Sequence, residues 1–354
     1  MLAAAVDRTS PFELHPTTER ERADLAVFLA RTLNLPAGIS WLGERHMRWR
    51  YWSPRPDWGC PRSFIAGRGG AMMAHIGVWP LQVRVPEGVL TAGHGIDWAA
   101  DPACPGAGIR LLRRVGASFR LMVATGGTEA ARRVLPAIGF RPHGEIYRCA
   151  RPVRPIGQAL TTSPKTWRLP ARLLRNTLWR LSPPLSSPAG WSAAPVDPDD
   201  LPERLWPEPS ASIAVIARAA RVYRYFLEAP SPRHLLFGLK RRSELAGYFC
   251  LALAPHVAHV ADLWVASSRV EDWCAAFRTA SDVAARDRDV YEVSAWASTT
   301  PSKEGLLRAG FRLRERTVVS LAGDVTSLRG RELHFQMIDC DASLLSHDVV
   351  SYLT

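Results

Sequence analysis

The chain has 354 residues, 47% of them hydrophobic and 22% charged, which excludes a disordered or fibrous protein and leaves room for two domains with real apolar cores. Lys and Arg number 45 against 33 Asp and Glu, a net charge of +12. The excess points to an acidic partner (a phosphorylated co-substrate, a nucleic acid or an anionic membrane face), with arginine scattered over the surface as the plain alternative.

In chain order, Met1–Val6 is apolar but has no charged n-region and breaks at Asp7, so no signal peptide is expected. Phe12–His15 reads as a short strand. Thr17 or Thr18 then caps a helix whose Leu25, Phe28, Leu29 and Leu33 recur at helical spacing until Pro36 and Gly38. Trp41–Trp52 reads as a second helix, with Arg45, Arg48 and Arg50 among its aromatics. Ser63–Gly67 and Met72–Val85 read as strands of a meander split by Arg68-Gly69-Gly70.

The stretch Thr91–Arg114 organises this half. A strand (Thr91–Ala99) leads through Asp101, Pro102, Cys104 and Pro105 to Gly106-Ala107-Gly108-Ile109, which opens a helix predicted over Arg110–Arg120. A strand that ends at a glycine turn and releases a helix offers backbone N–H groups and a positive helix end to a phosphate. Leu121–Ala124 is a further strand, Glu129–Ile138 a helix stopped by Gly139, and Gly144–Cys149 a last strand.

Pro152–Pro188 reads as a connector. Within it Trp167–Leu181 sets Arg168, Arg172, Arg175 and Arg180 among leucines, either a linker helix packed between domains or a basic amphipathic helix in weak contact with a membrane surface. Beyond Trp191, Asp199–Ala220 is expected to be mainly helical, and His234–Lys240 and Ala246–Ala254 repeat the meander. The apolar run Leu245–Ala266 is broken by Pro255, His256, His259 and Asp262, so two strands explain it better than a membrane span.

Three echoes recur in order: Arg48–Trp52 with Arg221–Phe226, His94–Asp97 with His259–Asp262, and Ile138–Arg141 with Ala309–Arg312. The last two lie 165 and 171 residues apart. Together they argue for an internal duplication. Six cysteines (Cys60, Cys104, Cys149, Cys250, Cys274 and Cys340) stand far apart without a C-x-x-C, so neither a zinc site nor a disulfide framework is expected, and a reducing cytoplasm fits.

The glycine turn after the fourth strand of a β-rich half, the helix with Leu111, Leu112 and Val115, and the Gly139-Phe140 and Gly310-Phe311 pairs resemble the GNAT acyltransferase superfamily. The resemblance covers most of the chain as two tandem copies. It implies an α+β fold, each copy a mostly antiparallel sheet flanked by helices, with domains at residues 10–155 and 190–354 and a linker at 156–189. It also implies N-acyl transfer from acetyl-CoA or another acyl-CoA to the amine of a small molecule, with no metal; no nucleic acid is expected, since the basic residues are scattered rather than gathered in one arm. A non-catalytic binding or scaffold protein is the alternative.

On that resemblance the diphosphate falls to Gly106, Ala107, Gly108, Ile109 and Arg110, and the thioester carbonyl to backbone N–H groups where the strand bulges at Ile96–Trp98. The base is His94 or Asp97, the plain alternative being structural hydrogen bonds for both. Ala103 stands where the family's loop usually carries Gln or Arg, and Pro105 has no N–H to give. The equivalent loop of the second copy, Ala266-Ser267-Ser268-Arg269-Val270, has no glycine. The family's frequent Tyr before the Gly-Phe pair is Leu135 in one copy and Leu306 in the other. Cys104 is either a loop nucleophile or a packed thiol. Glu292, Trp296 and Asp339-Cys340-Asp341 are either grips for a polar acceptor or a solvated strand end and loop.

Overall fold

The computed structural model describes residues 12–36, 38–161, 169–344 and 353; the Met1–Val6 reading and the start of the predicted helix at Trp167 lie outside them. The chain divides into two compact units, Met1–Gln82 with Val89–Pro142 and Ser320–Ser327, and Val83–Gly88 with His143–Val319 and Leu328–Thr354.

In the N-terminal unit, β1 (Glu13–Pro16) pairs antiparallel with β2 (Ser63–Arg68), and β2 with β3 (Ala71–Val85). Next comes β4 (Gly88–Ala100), then β5 (Leu121–Thr125), parallel to it, and the segment from Ser320 closes the order. The helix α1 (Arg22–Thr32) buries Leu25, Phe28 and Leu29, one stripe at helical spacing, after a capping box between Thr18 and Glu21. The predicted Trp41–Trp52 helix is instead a short 3₁₀ turn, the four-residue α2 (Glu44–Met47) and a π-turn over Arg48–Trp52. That wider turn delivers Trp49, Arg50 and Tyr51 to the interior together.

The helix α3 (Ala107–Gly116) starts three residues earlier than predicted. It lays Ala107, Leu111, Leu112 and Val115 on Ile76, Val78 and Met122 and turns Arg110, Arg113 and Arg114 outward. Each of the Leu, Val, Ile and Met side chains in this contact contributes about 1.5–3 kcal/mol when buried. A short α4 (Glu129–Val134), capped by Thr128, passes into a 3₁₀ turn at Pro136 and stops at Gly139 (φ +100).

The C-terminal unit takes β6 (Arg141–Pro152) from His143 on, then α5 (Pro155–Thr161) and α6 (Leu169–Leu181). After β7 (Trp191–Pro195), the predicted Asp199–Ala220 helix is absent. Pro198, Pro202, Pro207 and Pro209 forbid a continuous helix, and two 3₁₀ turns and β8 (Ile213–Ile216) stand there before α7 (Ala220–Leu227). The strands β9 (Arg233–Arg241), β10 (Glu244–Ala254) and β11 (Val257–Val265) form an antiparallel meander. The long α8 (Val270–Arg286) leads to β12 (Glu292–Ala297), parallel to β11 and antiparallel to β6. Finally α9 (Thr300–Arg308), β13 (Arg312–Gly323, shared with the other unit beyond Val319) and β14 (Glu332–His334), parallel to β8, complete the unit. Its core joins Phe249, Val260 and Leu263 of the sheet to Trp273, Phe277 and Ala280 of α8. The Leu245–Ala266 run is the two strands expected, and no described helix is long and apolar enough to cross a membrane.

Candidate active site

In the N-terminal unit β4 and β5 keep parallel register only through Ala92↔Leu121, Gly93↔Met122 and His94↔Val123. Beyond His94 their paired register ends, a split in the ladder, with β4 running on to Ala100 and β5 to Thr125. At the root of this split the buried His94 imidazole meets the Thr125 hydroxyl, Nε2 to Oγ1, at 2.9 Å. Burial pulls the His94 pKa down to about 4, so the ring is neutral near pH 7.

Three residues on, Asp97 leaves the extended region (φ +49), an unusual conformation for a side-chain-bearing residue. Its carboxylate accepts a 2.6 Å hydrogen bond from the Tyr51 hydroxyl and lies 3.4 Å from the Arg50 guanidinium. Its carbonyl oxygen faces His75 Nδ1 at 3.0 Å. Burial holds His75 at about 4, so Nδ1–H donates to that carbonyl and Nε2 accepts from Ser63 Oγ at 3.0 Å. Thr17 donates to Ser63 at 2.6 Å and itself receives the Trp52 indole N–H at 3.2 Å. A chain of polar groups thus runs from Trp52 to the turned residue of β4. His94 and Asp97 engage different partners, and the structure gives no contact between their side chains.

The last strand residues position the helix mouth. Trp98 Nε1 donates to the Gly108 carbonyl at 3.0 Å, and a Cβ at Gly108 would lie 3.0 Å from Ala100 Cβ and 3.1 Å from Trp98 Nε1. Gly108 is therefore the glycine that lets α3 sit against β4. Gly106 is the N-cap at φ +85, and a Cβ there would meet nothing within 4 Å. It provides the left-handed turn and open space in front of the helix. The Ala107 N–H is taken by the Cys104 carbonyl at 3.2 Å. Helix geometry leaves the N–H groups of Gly106, Gly108 and Ile109 without intrahelical acceptors, and the first turn holds no acidic residue.

The exposed Arg110 lies 5.2 Å from the Phe12 ring centroid, and Arg68 lies over the same ring at 4.4 Å. Arg68 ends β2 at the hairpin, a neighbour that only tertiary pairing brings here. Sequence reading placed it in a turn. Cys104 packs its sulfur on Met73 at 2.8 Å.

The C-terminal unit repeats the polar devices. Tyr223 of α7 donates to Asp262 of β11, and His259 Nδ1 meets Ser294 Oγ of β12 at 2.5 Å. The β10–β11 register slips at Ala261, a bulge beside Asp262. Here Arg218 sits 2.8 Å from Asp262 and 2.7 Å from Asp339, all buried. Burial opposes ionisation of Asp262, but Arg218 outweighs it and keeps the carboxyl low; in Asp339 burial prevails and raises it to about 6.

The mouth of α8 differs. Glu271 and Asp272 lie in its first turn, Ser267 Oγ donates to Asp272 at 2.7 Å and accepts from the Arg269 N–H at 3.2 Å, and Trp273 Nε1 donates to the Ser267 carbonyl at 2.8 Å. The solvated strand end expected at Glu292 and Asp339 is also absent. Both are buried, Glu292 on Gln158 Nε2 at 2.9 Å and Asp339 on Arg218. A cavity of about 300 Å³ lined by His143, Glu145, Ser298, Lys303, Arg331 and Glu332 has committed charges, since Glu332 caps α9 through Thr300 and Arg331 pairs with Glu87. Among the described residues no group of His, Cys, Asp and Glu is placed to hold a metal ion.

No protein-family model matches the sequence, and no curated protein is similar to it in sequence. Solved structures are similar in fold. A GCN5-related N-acetyltransferase from Anabaena variabilis has a TM-score of 0.58 at 13% identity, over 91% of this chain and 75% of that one. The Saccharomyces cerevisiae N-myristoyltransferase with bound myristoyl-CoA scores 0.57 at 11%, over 90% and 85%. A tandem GNAT protein from the clavulanic acid biosynthesis pathway scores 0.54 at 14%, over 88% and 98%. The chain has the α+β GNAT fold, as the glycine turn and Gly-Phe pairs led one to expect.

Proposed function

We propose that the protein is an acyl-CoA-dependent N-acyltransferase, moving an acetyl or longer acyl group to the amine of a small molecule, with its working site in the N-terminal unit. The observation that carries the reading is the mouth of α3. It opens beside a split strand pair, has space in front of Gly106, presents first-turn N–H groups and carries Arg110, with Arg68 across the Phe12 ring. Amides and a helix end of this kind fit a diphosphate. The co-substrate supplies a thioester carbonyl already activated for attack. The chain holds it through Gly106, Gly108, Ile109 and Arg110, and main-chain N–H groups at Ile96–Trp98, where Asp97 turns, would polarise the carbonyl.

Of the two candidate bases, His94 is the better proposal. The Asp97 carboxylate is already engaged by the Tyr51 hydroxyl and the Arg50 guanidinium. His94 is kept neutral, and Thr125, half-exposed at the end of β5, links it towards the split. The attacking nitrogen becomes strongly acidic as its bond to the carbonyl carbon forms, an imidazole of low basicity can then take its proton through the Thr125 hydroxyl, and the C–S bond breaks to release CoA as its thiolate. The C-terminal unit, whose α8 mouth is filled by its own side chains, serves in this reading as scaffold and as a diverged duplicate.

Titration calorimetry with acetyl-CoA and CoA tests the reading. Binding is expected in the wild type and lost in Ile109→Glu, because a carboxylate in the first turn suits the helix but repels a diphosphate. Absence of binding, or binding indifferent to Ile109→Glu, would leave only the scaffold reading.

A further inference from the structure

We propose that the paired helices α5 and α6 form a docking face for an anionic lipid surface. In both helices the usual arrangement is reversed, with an amide pointing inward and aliphatic side chains outward. Buried Asn176 Nδ2 donates to buried Gln158 Oε1 at 2.8 Å, and Gln158 Nε2 donates to buried Glu292 at 2.9 Å. At 3.6 residues per turn, positions two before and two after each amide lie roughly 160° away. Those positions are Ile156 and Leu160 on α5 (67% and 80% exposed) and Leu174 and Leu178 on α6 (64% and 57%). Leu181, 67% exposed, continues the α6 stripe. Half of the ten large exposed apolar residues in the described structure lie on these two helices. Such a face, with its polar groups satisfied within, suits a medium less polar than water.

Charge selects the occupant. Between Glu145 and Asp197 the sequence carries eight Arg and Lys and no acidic residue. Beside the leucine stripe, Arg175, Arg312 and Arg314 crowd the Trp179 ring, at 4.6, 5.7 and 4.6 Å from its centroid. Among the described residues none of the three is ion-paired with a carboxylate. An indole ringed by guanidinium groups at the edge of an apolar stripe fits the boundary between lipid phosphates and acyl chains. A protein partner or a second copy of the chain would need carboxylates opposite these arginines, and a nucleic acid would leave the leucines in water.

Flotation of the full chain with vesicles tests this. Binding to vesicles of equal parts phosphatidylglycerol and phosphatidylcholine is expected to be at least about tenfold stronger than to phosphatidylcholine alone. Leu174→Gln/Leu178→Gln/Leu181→Gln, confined to exposed positions, is expected to weaken it about a hundredfold. Arg175→Gln/Arg180→Gln is expected to remove the preference for phosphatidylglycerol. No binding to the anionic vesicles at low salt, or binding that the leucine triple variant does not change, overturns the proposal. So does a concentration-dependent dimer that the triple variant abolishes in a chain that does not float.

Discussion

The mouths of α3 and α8 stand at equivalent points of two similar units and have been built for opposite ends. Around them the polar framework is the same: a tyrosine hydroxyl on the aspartate that breaks the fourth strand, and a histidine three residues earlier on a hydroxyl of the parallel neighbour. At α3 the N-cap is a left-handed glycine facing open space, with no acid in the first turn. At α8 the Arg269 N–H is taken by Ser267 Oγ, which in turn donates to Asp272, and the Trp273 indole closes on the Ser267 carbonyl. The framework is thus what the fold needs, since both units keep it. On the proposed reading the mouth is what co-substrate binding needs, and it differs between the units: a glycine facing open space at α3, side-chain contacts at α8.

The largest effect that sharpens this comparison is acid sensitivity. His75 and His94 in the N-terminal unit and His334 in the C-terminal unit are held by burial at about 4, against 6.5 when free. The unfolded chain therefore binds more protons between pH 6.5 and 4, and stability falls as pH drops through that window, on the order of 3 kcal/mol for each histidine. Denaturant melts at pH 7 and pH 5 are expected to show the N-terminal unit losing more than the other, because in the C-terminal unit Asp339, raised to about 6, gains a proton on folding in the same window and offsets part of the His334 loss. Next comes Arg218→Leu, expected to cost about 3–5 kcal/mol because Asp262 and Asp339 stay buried without their cation. Arg50→Leu, which removes a 3.4 Å contact to one carboxylate, Asp97, is expected to cost less in the same melts.

In activity, Thr125→Val is expected to lower kcat by about 10²-fold and Thr125→Ser to restore it, with the Michaelis constant for acyl-CoA little changed. The acid limb of kcat is expected near pH 4 rather than 6.5, following the His94 value. The smallest effect is a negative one. Glu271→Ala/Asp272→Ser is expected to leave the C-terminal unit unable to bind CoA by calorimetry, because the Ser267 and Trp273 contacts remain.

Much of this was readable from residue order. Gly106, the Leu111-Leu112-Val115 stripe and the two Gly-Phe pairs carry their meaning locally, in turn geometry and helical period, and they pointed to the fold. His94 and Asp97 lie, as read, on the strand that leads to the glycine turn. Their partners did not show. Tyr51 lies 46 residues from Asp97, and the π-turn that aims it has no periodic signature. Arg68 reaches Phe12 only because β1 and β2 pair. Asp199–Ala220 is not the expected helix because Pro202, Pro207 and Pro209 lie within it. Asp339, which looked like a solvated loop acid, is buried because Arg218 arrives from a segment about 120 residues upstream, a distance at which sequence patterns say nothing.

Amide hydrogen exchange with and without CoA compares the two helix mouths within one chain. Selective protection of Gly106–Arg110, with Val270–Cys274 unchanged, is the predicted result. Protection at α8, or none at α3 while CoA is bound elsewhere, would contradict the assignment of the diphosphate to the glycine-capped helix.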